Sequence, residues 1–372
     1  MSTLKVDTIT DSSGGNTAVL NGVVSAPSSM NFRNRIINGD MRIDQRNNGA
    51  SVTPVNNQYL LDRWVAQLTQ LARFSVQQNA GAVTAPIGFS NYLGVTSLSA
   101  YSVLAGDTFL IDQRVEGFNF ADMAWGTAAA QPATLSFWAR SSLTGTFGGA
   151  LTNSAGNRSY AFSYTINSAN TWEYKTVTVV GDTTGTWIGS TNGTGVMIRF
   201  GLGSGSTFTT AAGSWAAGNF VQPTGSVSVV GTNGATFYIT GVQLEAGSAA
   251  TPFERRPYGT ELALCQRYLP VAAIPANNYM YAGQVFGTTN AQAFIPFSVV
   301  SRVAPTGITA VGSPQFSSAG GTPTGSVTFQ AGSTFGASIS GTGISGFTVG
   351  NATSLVTINA GGAQIFFNGC EL

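Results

Sequence analysis

Carboxylates are the side chains in this sequence best suited to catalysis, because the chain contains no histidine. The lack of histidine excludes Ser-His-Asp and Cys-His catalysis and any metal site built on histidine. A pair of carboxylates about 5–9 Å apart could hydrolyse a glycosidic bond. The acids that cluster in sequence are Asp107, Asp112, Glu116 and Asp122. Arg114 offers Asp112 or Glu116 an ordinary strand-pair partner, so we expect no enzyme and keep a carboxylate-dependent glycan depolymerase as an alternative.

Aromatic side chains are the second group that could bind a ligand, because the C–H groups of a sugar ring are attracted to the face of an aromatic ring. In the strand-like segment "ATLSFWARSS" (133–142), alternation places Trp138 and Arg140 on one face, opposite the apolar residues. Trp125 and Trp215 have loop-like surroundings. These four residues are the candidate carbohydrate-binding residues.

The alternative for these indoles is structural: they fill a sandwich core or hold loops in place, as in most β-sandwiches. Trp64 and Trp172 have the sequence surroundings of core residues. The choice between the two interpretations depends on which tryptophans reach the surface.

Charge and composition narrow the range of partners and cofactors. The net charge is +1 and only 8% of the residues are charged, which gives no electrostatic basis for binding nucleic acid or acidic lipid. No apolar run is long enough to span a membrane, and no standard signal peptide is present, so we expect synthesis in the cytosol without export by a standard signal and without membrane insertion. Cys265 and Cys370 are expected to be reduced and buried, and no cofactor is expected.

The residue pattern predicts an all-β protein. The 47 glycines, together with short runs of Val, Phe, Tyr and Trp, are typical of strands and turns, and sustained helical periodicity is almost absent. Short strands separated by turns recur from 34–49 to 235–247. This spacing indicates an antiparallel β-sandwich or jelly roll.

Four regions follow from this pattern: an anchoring segment (1–30), a jelly roll (31–250), a junction with a short helix (251–270) and a C-terminal β-sandwich (271–372). The anchoring segment is predicted to form two short strands around a Gly-Gly turn. Such a hairpin is marginal alone and has to pack against another chain. The apolar residues of its first strand are Leu4, Val6 and Ile9, and those of its second are Val19, Leu20, Val23 and Val24.

The junction "TPFERRPYGTELALCQRYLP" concentrates charge in a chain that is otherwise poor in it. A helix is predicted over 259–269, capped by Thr260 and ended by Pro270. If several chains meet here, apolar side chains pack together and charged ones pair between chains. The candidate interface residues are Leu262, Cys265, Leu269, Arg256, Glu261 and Arg267. The alternative is a linker within one chain whose arginines cap local carbonyls.

The C-terminal region 271–372 carries only two charged side chains, Arg302 and Glu371. A free surface of that composition is poorly suited to solubility. Either the region covers part of itself in an oligomer, or it relies on Ser, Thr and Asn.

Several stretches, taken together and in order, resemble a known group of proteins. "STLKVDTITDSSGG" resembles the anchoring segment of virion fibre proteins of tailed bacteriophages, and "NRIINGDMRIDQRNNG" followed by "YLLDRWVA" resembles the first strands of the carbohydrate-binding-module-like jelly rolls carried by such fibres. The pattern continues over "PATLSFWARSSLTGTF", "NTWEYKTVTVVGDTTGTW" and "ATFYITGVQLEAGSAATPFERRPYGTELALCQRY", so the resemblance covers roughly residues 1–270.

This resemblance implies a homotrimeric tail fibre in the virion, joined to other phage tail proteins by its N-terminus and recognising host-surface polysaccharide. Jelly rolls of this kind often hold a structural calcium through an acidic pair on the last long strand, but here that strand reads Ile239, Thr240, Gly241, Val242. No metal site is therefore expected, and Asp40 and Glu245 remain as weak candidate ligands. A capsid decoration or tail-collar protein without a receptor role is the alternative.

Overall fold

A computed structural model describes most of the chain, which forms two compact units. Unit 1 extends to Arg255 but leaves out Ile43–Ala50 and Tyr59–Val65, which belong to unit 2 together with Arg256–Leu372. The unit boundary thus lies at Arg255, inside the predicted junction 251–270. The described residues are 19–20, 23–24, 32–318, 325–342, 346–357 and 360–372.

The residues up to the unit boundary form sixteen described strands, joined by turns rich in Gly, Asn and Ser. The strands are β1 Val19–Leu20, β2 Val23–Val24, β3 Gln58–Tyr59, β4 Trp64–Leu68, β5 Phe74–Gln78, β6 Leu93–Ser97, β7 Thr108–Glu116, β8 Ala133–Ser141, β9 Gly145–Thr152, β10 Arg158–Ile166, β11 Glu173–Val179, β12 Thr194–Ser204, β13 Thr209–Thr210, β14 Trp215–Ala217, β15 Gln222–Pro223 and β16 Thr236–Ala246.

Most of these strands belong to two sheets. One has the order β14-β10-β9-β12-β7-β4-β3 and the other β11-β8-β16-β6-β5. Neighbouring strands run antiparallel, as in the pairs β7–β12 and β8–β16, and the chain crosses repeatedly from one sheet to the other. The predicted antiparallel sandwich with jelly-roll character is confirmed.

Alternation along the strands builds the core of unit 1. On β8, Leu135 and Phe137 are fully buried. Trp138 and Arg140, which alternate with the inward-facing positions, are half-buried. The ring of Phe137 contacts that of Phe200 edge-on from the opposite sheet, with centroids 5.1 Å apart. Burying each such side chain contributes about 1.5–3 kcal/mol. The predicted division of β8 into an inner and an outer face is confirmed.

Unit 2 contains the α-helix of the described chain and a second β-sandwich. The sheets have the orders β17-β25-β20 and β21-β24-β18-β19-β23-β22, and residues from both, such as Ile365 and Phe316, share one buried cluster. The elements are α1 Tyr258–Gln266, β17 Val271–Ile274, β18 Met280–Gly287, β19 Asn290–Pro296, β20 Gly307–Val311, β21 Gln315–Ser318, β22 Ser326–Ser333, β23 Gly336–Thr342, β24 Ala352–Val356 and β25 Ala363–Asn368.

Helix α1 begins and ends earlier than predicted. Pro257 takes the N-cap position without a side-chain cap bond, so the predicted cap at Thr260 is wrong. The backbone N–H of Glu261 donates to the carbonyl of Pro257 at 3.1 Å, which starts the helix one turn earlier.

The anchoring segment is described at four residues only. Val19–Leu20 pairs with Val23–Val24 in an antiparallel hairpin, so the stretch predicted as one second strand contains two. Leu4, Val6 and Ile9 lie outside the described residues.

Two smaller predictions are confirmed. Cys265 and Cys370 are free and buried, and Trp64 is fully buried. Trp172, also predicted as a core residue, is half-buried and packs against a small cluster that includes Tyr92 and Tyr238. In the described part of the chain, no helix is long and apolar enough to cross a membrane.

Candidate functional site

An open groove of about 630 Å³ lies on the outer side of the five-stranded sheet of unit 1. Strands β8, β11 and β16 supply its floor, and the segments around residue 89 and after β16 supply its walls. The lining residues are Phe89, Trp138, Tyr174, Thr176, Gly241, Ala250, Thr251, Pro252, Phe253 and Arg255.

Trp138 and Tyr174 form one aromatic wall of this groove. They are direct partners in the antiparallel β8–β11 register, with ring centroids 5.5 Å apart and planes inclined at 52°. Tyr174 is 44% exposed. Because side chains alternate along a strand, both rings project from the same outer face of the sheet. Both rings therefore line the groove, Tyr174 as an exposed residue and Trp138 as a half-buried one.

Phe89 and Phe253 form a second aromatic pair. Their ring centroids are 5.2 Å apart in an edge-to-face arrangement. The guanidinium carbon of Arg255 lies 4.7 Å from the ring centroid of Phe89 and 5.7 Å from that of Phe253. These distances are within the range of cation–π attraction, which holds the long Arg255 side chain against the groove wall.

Gly241 keeps the space between the two pairs open. It lies at an irregularity of β16, between Thr240 and Gln243, with a φ of +62°. A Cβ atom at this position would lie 2.7 Å from the Phe89 ring and 3.2 Å from Trp138. Both the backbone conformation and the close approach require glycine.

A buried polar network holds the segment that carries Phe253 and Arg255. The carboxylate of Glu245 accepts hydrogen bonds from the Thr251 backbone N–H at 2.9 Å and from its hydroxyl at 2.6 Å. The side-chain amide of Gln243 donates to Glu245 at 2.9 Å, and its oxygen accepts from the Glu254 N–H at 2.8 Å. Two residues of β16 therefore fix the course of 251–254.

The turn before β11 is fixed by Glu173, the residue next to Tyr174. Its carboxylate accepts hydrogen bonds from the backbone N–H groups of Asn167 and Ser168 and from Lys175. Burial raises the pKa of Glu173, but the hydrogen bonds from Lys175 and the backbone outweigh it and lower the pKa to about 2. The carboxylate is therefore ionised at neutral pH and stabilises the start of the strand.

The other predicted carbohydrate-binding tryptophans lie elsewhere in unit 1. Trp125, Trp187 and Trp215 form an indole cluster with ring centroids 4.8–5.3 Å apart. Trp125 is only 5% exposed and its indole N–H donates to the Gln131 carbonyl, while that of Trp215 donates to Val180. The cluster packs loops together, which agrees with the structural alternative for these two residues.

Arg140 shares the outer face of β8 with Trp138 but does not line the groove. Its Nε donates to the Asn170 carbonyl at 3.0 Å, and its guanidinium lies 5.4 Å from the Tyr238 ring centroid. Tyr238 packs on Tyr92 and Trp172, so Arg140 borders a separate aromatic cluster.

The two weak metal-ligand candidates have cationic neighbours instead. Glu245 lies 3.7 Å from Arg33, and Asp40 lies 3.2 Å from Arg42. Within the described ranges, no group of three or more acids or cysteines is placed to hold a metal ion.

The clustered carboxylates are bound to neighbouring donors. Burial raises the pKa of Asp107, but hydrogen bonds from Tyr101, the Leu104 N–H and Thr69 outweigh it and leave the pKa below its usual value. Asp112 is fully buried, with Arg114 3.9 Å away, as the strand-pair alternative predicts. Glu116 is also buried, and Asp122 pairs with Arg35. These contacts are structural ones.

The junction residues make contacts within unit 2. Arg256 pairs with Glu261 at 3.3 Å, and both side chains are buried. Arg267 donates to the Val300 carbonyl at 3.4 Å, and the side chains of Cys265 and Leu269 are 1% exposed, whereas Leu262 is half-buried. These positions agree with the linker alternative, in which arginines bind local groups.

Of the ten lining residues, Trp138 is the one that the sequence predicts; among the nine others, those that shape the groove most are Phe89, Tyr174, Gly241, Phe253 and Arg255. Tyr174 occupies an outward strand position that alternation identifies, but its pairing with Trp138 depends on register. The other four lie in loops or at a strand irregularity, where no periodic signal exists.

No protein-family model and no curated protein matches this sequence. Among solved structures, the chain is similar to the enzymatically active domain of tailspike protein 4 of bacteriophage CBA120, with 14% identity and a TM-score of 0.32 over 58% of this chain. The match spans 22% of the tailspike chain.

Carbohydrate-binding modules are also similar. A family 11 module from a cellulosomal cellulase of Clostridium thermocellum has 11% identity and a TM-score of 0.26, covering 54% of this chain and 98% of the module. The module TmCBM61, solved with β-1,4-galactotriose, has 11% identity and a TM-score of 0.28, covering 58% and 99%. Identities and TM-scores this low assign no function, which has to be argued from the groove itself.

Proposed function

We propose that unit 1 binds carbohydrate in the groove without cleaving it, and that the chain serves host-surface recognition as part of a homotrimeric bacteriophage tail fibre. The observation that carries the binding proposal is the pair of half-buried Trp138 and exposed Tyr174, which line the groove on the outer face of the sheet. Aromatic faces attract sugar C–H groups and desolvate few polar groups when they do so.

The shape of the groove supports a glycan ligand. Its volume of about 630 Å³ lies within the range usual for small-ligand sites, and it is open along the sheet surface. An open groove accommodates an internal stretch of a polysaccharide, whose ends continue beyond the site. The hydroxyl group of Thr176 borders the aromatic faces and offers a hydrogen bond to a sugar hydroxyl.

The virion assignment rests on the resemblance of residues 1–270 to phage fibre proteins. The scarcity of charge in 271–372 supports an assembly of several copies. A capsid decoration or tail-collar protein would share these properties but would not need the groove. Imaging labelled protein on phage particles separates them, because a fibre radiates from the tail.

The binding proposal is tested by applying the full chain and two variants to an array of bacterial surface glycans. We expect Trp138→Ala to weaken binding by about 5- to 150-fold, taking the roughly 1–3 kcal/mol that an aromatic side chain contributes when it stacks on a nucleobase as the guide for a sugar ring. Phe118→Ala is the matched control, because Phe118 is an exposed ring of unit 1 that does not line the groove. Equal loss in both variants, or binding that survives Trp138→Ala, contradicts the proposal.

A further inference from the structure

The residues that line the groove carry positive charge and no negative charge. Of these ten residues, Arg255 is charged and the rest are neutral. The nearest acids along the chain are turned to other partners: Glu254 accepts from the Asn34 backbone N–H at 2.9 Å, and Glu245 is buried with Thr251. A ligand in the groove therefore meets a cation and no lining carboxylate.

Most arginines of unit 1 are neutralised, whereas Arg255 is not. Five of the nine arginines in this unit pair with a carboxylate: Arg33, Arg35, Arg42, Arg114 and Arg158. The guanidinium of Arg255 contacts two phenyl rings and has neither an ion-pair partner nor a hydrogen-bond acceptor among the residues that the structure describes. Its planar donor fork remains available, and that geometry matches a carboxylate in a bidentate manner.

Arg33, a second cation beside the groove, is balanced by an acid. Its guanidinium donates to the carbonyl of Pro252, a lining residue, and lies 3.7 Å from the carboxylate of Glu245. Among the described groove residues, the charge that no acid balances is therefore that of Arg255, and it disfavours a cationic ligand such as a basic peptide.

We propose that the groove selects an acidic glycan, with a sugar ring on Trp138 and Tyr174 and the anionic substituent of the same or a neighbouring residue on Arg255. This inference rests on the proposed carbohydrate binding and adds the ligand class. Preference arises because Arg255 gains a charge-assisted bidentate bond that a neutral sugar cannot supply. The shared chemistry is an anionic group, supplied by a uronic acid carboxylate or by a sulfate ester.

The test compares three probes on the full chain by calorimetry: a short oligogalacturonate, the same oligomer with its carboxyl groups reduced to alcohols, and a sulfated galactan oligomer. We expect the reduced oligomer to bind about 10- to 100-fold more weakly than the uronate, and the uronate affinity to fall with added salt. A higher affinity for the uronate than for the sulfated oligomer identifies a carboxylate as the anionic group. A higher affinity for the sulfated oligomer identifies a sulfate ester.

Variants connect the preference to one side chain. Arg255→Gln should lower the affinity for the acidic oligomer more than the affinity for the neutral one, so that the preference is lost, and Arg255→Lys should keep part of the preference through charge alone. Arg140→Gln is the matched control, because Arg140 also lies against an aromatic ring on the same face but outside the groove.

Three outcomes would each overturn a claim. Equal affinity for acidic and neutral oligomers, with binding still lost in Trp138→Ala, refutes the acidic preference and leaves carbohydrate binding intact. Failure of all three probes to bind, together with a blank array of surface glycans, refutes carbohydrate binding itself. Equal loss in Arg255→Gln and Arg140→Gln assigns the effect to general charge and also refutes the inference.

Discussion

At the scale of single residues, the groove depends on a glycine as much as on its aromatic rings. Gly241 combines a left-handed backbone with contact distances that leave no room for a Cβ between Phe89 and Trp138. A side chain at this position would have to displace the ring of Phe89 or that of Trp138. A single methyl group at this position should therefore close the groove floor.

Gly241→Ala is expected to reduce glycan affinity at least tenfold and to lower the free energy of unfolding by about 1–3 kcal/mol, through backbone strain and collision with Phe89. Gly234→Ala separates the two causes, because Gly234 has a similar φ of +72° but nothing within 4 Å of its Cβ position. Calorimetric titration and denaturant unfolding measure both quantities. Wild-type affinity in Gly241→Ala would contradict the assignment of the groove floor.

At the scale of elements, the segment after β16 is positioned by the polar end of that strand. Thr251 contributes two of the hydrogen bonds to the buried carboxylate of Glu245. This arrangement makes the position of Phe253 and Arg255 depend on a few buried donors, since the segment itself contains no regular hydrogen-bonded strand.

Thr251→Val keeps the shape of the side chain but removes the hydroxyl donor. We expect unit 1 to lose about 1–3 kcal/mol of stability, because a buried carboxylate oxygen loses a partner, and the glycan affinity to fall as Arg255 becomes less well positioned. Thr178→Val is the control, since its hydroxyl donates to Ser248 at an exposed site. Identical unfolding curves for both variants would show that the network does not hold the segment.

The strands were more predictable than the groove. Alternation in 133–142 identifies Trp138 as outward-facing, because a half-buried strand repeats every two residues. The pairing with Tyr174 follows from a register between segments far apart in sequence, which no local pattern encodes. Trp125 was expected in a loop at the surface, but long-range ring contacts bury it. Loop residues such as Phe253 have no periodicity from which a position could be predicted.

At the scale of the whole molecule, charged side chains are scarce. In unit 2, charged side chains such as Glu371 and Arg302 are hydrogen-bonded to other groups of the chain. Glu371 pairs with Arg46 through two hydrogen bonds of 2.7 and 3.0 Å, and Arg302 donates to the Cys370 carbonyl. Exposed rings such as Phe294 and Phe335 remain on the surface of the chain. An uncharged surface with exposed aromatic rings favours association of copies.

The full chain is expected to sediment as a trimer, at three times the chain mass of 38.4 kDa. The physical reason is the covering of uncharged surface in 271–372, and the expectation of three copies comes from the resemblance to phage fibres. Sedimentation equilibrium over a range of concentrations measures the mass. A monodisperse single copy at micromolar concentration would contradict the assembly.

Unit 2 is expected to become less stable as the pH rises from about 5 to 8. Burial raises the pKa of Glu371 to about 7, although Arg46 lowers it, so the folded state holds a proton that the unfolded state releases near its ordinary value. The stabilising contribution of Glu371 is therefore fully present at pH values below its pKa in the unfolded chain. It is lost as the pH rises through its pKa in the folded chain, and the loss is on the order of 1–3 kcal/mol.

Denaturant unfolding at several pH values, with hydrogen exchange at the amides of α1 and β25 as the report on unit 2, measures this dependence. Glu371→Gln should remove it, because the amide does not titrate. If Glu371→Gln keeps the pH dependence of the wild-type protein, the dependence comes from another titratable group and the prediction is wrong.

The most direct test of the glycan-binding groove uses the six tryptophans of the chain as reporters. After incorporation of fluorotryptophan, each indole gives its own fluorine NMR signal, which single Trp→Phe variants assign. On addition of a glycan that binds, the signal of Trp138 should shift, while those of the buried Trp64 and Trp125 should not. Binding that leaves Trp138 unchanged and shifts Trp215 instead would place the site at the indole cluster and contradict the account.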